Sequence, residues 1–102
     1  MRFMKYLITT YIVNPHESED GVRILPESSM TQECTDDQTI FEATCKFLLS
    51  RPCYWAVSVL KQGEHENAWH AIAYIRNPEY DPAEQARRFK TQVKVLNMNV
   101  KH

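Results

Sequence analysis

Hydrophobic and polar residues follow recognisable periods along this chain, and the periods predict most of its elements. Residues 4–13 are rich in Tyr, Ile, Thr and Val and stop at Asn14-Pro15, which predicts a first strand. The polar, acidic stretch His16 to Gly21 reads as a loop. Val22 to Leu25 adds a short strand before Pro26, placed at an edge because proline cannot donate to a ladder. Residues 27–35 carry Ser28, Ser29 and Thr31 and read as a surface connection. Thr35-Asp36-Asp37-Gln38 then matches a capping box with Thr35 at the cap. Ile40, Phe41, Thr44, Cys45, Phe47 and Leu48 recur at three- and four-residue steps, an amphipathic helix that ends near Ser50 ahead of Pro52.

The second half repeats this kind of punctuation. Cys53 to Lys61 and Ala68 to Arg76 read as two strands, joined by the polar link Gln62 to Asn67 with its Gly63. Asp81-Pro82 opens a helix over 82–90, with Asp at the cap and Pro at the first helical position. Gln92 to Val100 alternates loosely and is expected to be a last strand. The order is strand, helix, strand, strand, helix, strand, with a short strand inserted after the first. That is the split βαβ order of an α+β, ferredoxin-like sandwich: one domain over residues 1–102, an antiparallel sheet and two helices on one face.

Strand alternation sorts the central hairpin into faces. Trp55, Val57, Val59, Trp69, Ala71, Ala73 and Ile75 carry no charge and are assigned to the core. Tyr54, Ala56, Ser58, Leu60, His70, Ile72, Tyr74 and Arg76 fall on the opposite, open face. Tyr54, Ser58, His70, Tyr74 and Arg76 therefore form a candidate binding surface. Tyrosine and arginine are frequent anchors of protein interfaces. With Tyr54 and Tyr74 stacking and Arg76 on phosphate, the same face would suit single-stranded nucleic acid. The Gly-aromatic-Gly pattern of RNA-recognition sheets is absent from 68–76.

Charge sharpens this picture. Lys plus Arg is 12 and Asp plus Glu 13, a net of −1, which excludes a bulk polycation or polyanion. The balance is a cancellation: residues 14–42 sum to −7 and residues 85–102 to +5. Glu17, Glu19, Asp20, Asp36 and Asp37 form a candidate acidic surface; Arg87, Arg88, Lys90 and Lys94 form a basic one. Such asymmetry steers a protein toward charged partners, and an acidic face can block a nucleic-acid groove by mimicry.

The remaining chemistry is sparse. Cys34, Cys45 and Cys53 are odd in number and lack a Cys-x-x-Cys pair, so free thiols in a reducing cytosol are expected, with no metal and no cofactor. The N-terminal apolar stretch is too interrupted for a signal peptide, and no run approaches the length of a membrane helix. Cys34 ahead of a helix, His70 on a later strand and Asn77 beyond it resemble the Cys, His, Asn order of papain-like hydrolases, with Gln32 as an oxyanion donor. Neither Gly nor Trp follows Cys34, which departs from that pattern. The sequence is thus read as a small, non-enzymatic cytoplasmic protein that docks on another protein as inhibitor, adaptor or regulator. Single-stranded nucleic acid is the alternative partner. Homodimerisation through the open face or an edge strand is the third expectation.

Overall fold

A computed structural model describes residues 2–16, 21, 23–65 and 67–90. Six elements follow in order: β1 (Met4–Val13), β2 (Ile24–Cys34), α1 (Asp37–Leu49), β3 (Ala56–Gln62), β4 (Trp69–Arg76) and α2 (Pro82–Phe89). The strands form one antiparallel sheet in the order β2-β1-β3-β4. The fold is therefore α+β, as the hydrophobic pattern implies. The strand expected over 92–100 lies outside the described residues.

The split β-α-β unit is present, but different strands build it. β2 and β3 both run antiparallel to β1, so they are parallel to each other, joined through α1 with β1 between them. The reason lies in residues 24–34. Expected as a short strand over 22–25 followed by a surface connection, they pair with β1 from Ile24 to Cys34 and occupy one of its two edges. Hydroxyls add to this pairing: Thr9 Oγ1 lies 2.8 Å from Ser29 Oγ, and Thr10 donates to Glu27 at 2.9 Å. Pro26 is accommodated beside a register shift after Thr10, on an edge strand where its missing N–H costs little.

α1 packs on the sheet face defined by Tyr6, Ile8, Val57 and Val59, and Phe89 of α2 packs against the same core. α1 turns Ile40, Thr44 and Leu48 toward them, the i, i+4, i+8 stripe of an amphipathic helix. Full burial of Ile40 and Leu48 contributes roughly 2–3 kcal/mol each. The α1 cap is Asp36, one residue later than expected: its carboxylate accepts from Thr39 N–H at 2.7 Å. Asp37 is thereby freed for a different partner. α2 begins as predicted, with Asp81 accepting from Ala83 N–H at 2.9 Å and Pro82 at the first position. The β3–β4 hairpin closes at Gly63, whose N–H donates to Ala68 O at 2.7 Å. A Cβ there would stand 2.6 Å from His70 Nε2, so a larger residue would have to push the exposed imidazole aside.

Two buried amides fasten the ends of these elements. Gln85 is fully buried on α2 and treats β1 as a neighbouring strand would: its Nε2 donates to Val13 O at 2.7 Å, and its Oε1 accepts from Val13 N–H at 3.0 Å. Asn77, just past β4, donates to the carbonyls of Leu48, Arg51 and Tyr54 at 2.9–3.1 Å and so ties down the chain leaving α1.

Candidate functional site

Register decides which predicted residues share the open face. Thr9, Ser58 and Tyr74 form one row across the sheet, with Tyr11, Ala56 and Arg76 in the next. Tyr11 Oη lies 3.1 Å from Ser58 Oγ, and the Tyr11 and Tyr74 rings meet edge-on at 5.8 Å. Tyr74 is 55% exposed. Arg76 lies over the Trp55 ring at 3.5 Å from its centroid, and Trp55 meets Tyr80 edge-on at 5.3 Å. Ser58, Tyr74 and Arg76 thus belong together on the helix-free face. Sequence reasoning missed Tyr11 and Trp55 there.

Tyr54 and His70 do not belong to that face. β3 starts at Ala56, so Tyr54 precedes the alternation that was extended to it. It is buried on the helix side, its ring 5.9 Å from Phe47 and 5.7 Å from Phe89, and burial pushes its phenol up from the ordinary value. His70 is displaced by a bulge: Val59 pairs with Ala73 but Leu60 with Ala71, so Ile72 is the extra residue. Beyond the bulge the parity inverts. His70 pairs with Lys61 on the helix-side register, while Ala71 and Trp69, assigned to the core, pair with Leu60 and Gln62 of the opposite face. Trp55, also assigned to the core, is half-buried under Arg76.

The charged candidates are largely engaged locally. Glu17, Glu19, Asp20 and Lys94 lie outside the described residues. Asp36 is the α1 cap, and its hydrogen bonds from Thr39 hold its carboxyl below the usual value. Asp37 accepts from Tyr6 Oη at 2.6 Å and pairs with Lys61 at 3.1 Å. Those two partners hold its carboxyl down, the Tyr6 hydrogen bond foremost. The Tyr6 phenol is pushed up, chiefly by burial and then by Asp37. This cluster joins α1 to β1 and β3. On α2, Arg87 pairs with Glu84 at 3.2 Å, and Arg88 sits 6.0 Å from the Phe89 ring. Neither of these two ion pairs, Asp37–Lys61 or Glu84–Arg87, joins the acidic segment to the basic one. Lys90 takes the left-handed conformation that ends the helix.

The Cys-His-Asn set is not assembled. Cys34 and His70 stand on the two edge strands, with β1 and β3 between them, a separation of at least about 14 Å at ordinary strand spacing. Asn77 is seven residues along from His70, about 23 Å in extended chain, and its amide is taken up by three carbonyls. Gln32 shares the Cys34 edge strand. Among the described residues no group of three or more His, Cys, Asp or Glu is placed to hold a metal ion, and no helix is long and apolar enough to cross a membrane. Compared with protein-family models, curated proteins and solved structures, the chain matches none.

Proposed function

We propose that the chain is a small non-enzymatic binding protein that docks on another protein, as inhibitor, adaptor or regulator, through the helix-free face of its sheet. The observation that carries this reading is the exposed Tyr74 beside Tyr11, next to an Arg76 already laid on Trp55. Tyrosine, tryptophan and arginine supply most of the energy of protein interfaces, and side chains ordered in advance lose less entropy on binding. The exposed Arg87, Arg88 and Lys90 on α2 would steer the approach of an acidic partner surface. Free Cys34, Cys45 and Cys53 support a reducing, cytosolic setting. A nucleic-acid platform is the weaker reading, because Tyr54, one of its two stacking rings, is buried on the other side.

Affinity capture with the wild type, Tyr74→Ala and Arg76→Ala tests this. A protein partner bound by the wild type should be held roughly tenfold less tightly by each variant. Capture that both variants leave intact would refute the assignment of this face. Salt-sensitive binding of single-stranded RNA, lost in the same variants, would transfer the face to the nucleic-acid reading.

A further inference from the structure

Arg76 is held in a way that Lys61, Arg87, Arg51 and Arg88 are not. Lys61 and Arg87 are engaged by Asp37 and Glu84, while Arg51 and Arg88 stand 5.7 Å and 6.0 Å from phenylalanine rings. The guanidinium carbon of Arg76 lies over the Trp55 ring, 3.5 Å from its centroid. That distance fixes the orientation. Guanidinium nitrogens stand about 1.3 Å from their carbon, so an edge-on group would bring nitrogen to about 2.2–2.9 Å from the ring, inside the ordinary contact of about 3.5 Å. The two planes are therefore stacked face to face, and the N–H groups of Arg76 point sideways past the indole. Arg76 is exposed, and among the described residues no ion pair or side-chain hydrogen bond engages it. Trp55 is itself anchored. Its backbone N–H donates to Tyr11 O at 2.8 Å, and its carbonyl accepts from Asn77 N–H at 2.9 Å. Its ring abuts Tyr80, whose hydroxyl donates to Gln85 at 2.6 Å.

We propose, on the protein-docking reading of this face, that Arg76 anchors the partner by gripping one aspartate or glutamate side chain with two N–H groups, Trp55 being the positioning residue. A planar fork with free in-plane N–H groups matches the two oxygens of a carboxylate, and stacking reduces the freedom lost on forming both bonds. The rest of the face selects a single anion. Within the strands, its other charged residues are Lys5 and Glu33, which face each other across β1 and β2. They lie six residue steps along β1 from the row of Tyr11, Ala56 and Arg76, about 20 Å, well beyond the screening length. The rows between carry Leu7, Leu60 and Ala71, then Thr9, Ser58 and Tyr74. Single-stranded nucleic acid needs a track of cations along its backbone, and phosphorylated side chains are met by arginine clusters. One isolated guanidinium beside uncharged rows suits an acidic side chain set in an otherwise uncharged protein surface.

Carbodiimide coupling in extract from the source cells tests this. Arg76→Lys puts a primary amine where the guanidinium stood, and carbodiimide joins an amine to a touching carboxylate as an amide, taking up the water released. The cross-linked peptide should join position 76 to an aspartate or glutamate of the protein that the wild type captures. Arg87→Lys, equally exposed on α2, should give no such adduct from position 87. Arg76→Lys should bind that protein roughly tenfold more weakly than the wild type, because lysine offers no fork. Trp55→Phe, which keeps an aromatic face, should stay within about twofold of the wild type, and Trp55→Leu should lose as much as Arg76→Lys. Equal binding by Trp55→Leu and the wild type would overturn the positioning role. If Tyr74→Ala weakens capture but no amide forms at position 76, the docking face stands and the carboxylate anchor falls. If Tyr74→Ala leaves capture intact, or only nucleic acid is recovered, the docking face falls and the anchor with it.

Discussion

Replacing Asn77 by alanine separates a structural amide from a catalytic one. The side chain is 2% exposed. Its two N–H groups serve the carbonyls of Leu48 at 2.9 Å, Tyr54 at 3.0 Å and Arg51 at 3.1 Å, so one of the bonds is shared. Its Oδ1 accepts from Glu79 N–H at 3.0 Å. Leu48 and Arg51 each keep a backbone donor after truncation, from Arg51 N–H and Tyr54 N–H. Three net hydrogen bonds at about 1 kcal/mol each, plus about 1 kcal/mol for dehydrated groups left without a donor, give a loss of about 3–4 kcal/mol. That is a large share of the roughly 5–15 kcal/mol that holds a domain together. Urea unfolding followed by circular dichroism should show the midpoint falling by about 2 M at an unchanged slope. Asn77→Asp should be at least as damaging at neutral pH, because a carboxylate offers no donor to the three carbonyls. Lowering the pH should recover part of that loss by restoring one O–H. A stability loss below about 1 kcal/mol for Asn77→Ala would refute the reasoning, since even one buried hydrogen bond is worth that much.

Other consequences follow from the same contacts. Gln85→Ala removes the amide that pairs with both backbone groups of Val13 and accepts from Tyr80 Oη at 2.6 Å, so thermal unfolding should show a loss of about 2–4 kcal/mol. An unchanged melting temperature would mean that β1 ends without this support. Asp37 is held below its ordinary value of 3.8 in the folded state, so its contribution to stability is present above about pH 4 and is lost as pH falls through the folded value. Tyr6→Phe removes the first cause of that depression, and stability measured against pH should fall less steeply in acid than in the wild type; parallel curves would contradict this. Tyr80 has its phenol pushed up to about 12 by burial, then Asp81 and Cys53, so its folded-state contribution is complete below pH 10 and fades as pH rises toward 12. Alkaline absorbance titration should find its ionisation delayed and coincident with unfolding. Cys53 is buried and its thiol is raised by burial, so a thiol reagent should modify Cys34 and Cys45 well before Cys53 under native conditions. Equal rates would show that the Cys53 site opens readily.

How much of this was legible in the sequence depended on whether an element shows its environment in its own residues. β1, α1, the β3–β4 hairpin and α2 bury one side, so their apolar spacing, caps and Pro residues announce them. β2 does not, because Ser28, Ser29, Thr31 and Gln32 sit on an edge strand with little burial on either side. Its pairing with β1, to which the hydroxyls of Thr9 and Thr10 add, is a tertiary fact. The open face was half legible. Ser58, Tyr74 and Arg76 follow from alternation, but the bulge at Ile72 reverses His70 and Ala71, and nothing local to that run signals an extra residue. Tyr54 and Trp55 were misplaced because alternation was carried past the first residue of β3. The acidic segment looked like a surface because the sequence cannot show that Asp36 closes a helix and that Asp37 answers Tyr6 and Lys61.

The docking assignment is tested most directly by a photoreactive phenylalanine analogue placed at position 74, with a second probe at Leu49 on the exposed side of α1 as the reference. Illumination in extract from the source cells should give a discrete protein adduct from position 74 and none of the same mass from position 49. Equal adducts from both positions, no adduct from 74, or an adduct to nucleic acid would contradict a protein-docking face built on Tyr74.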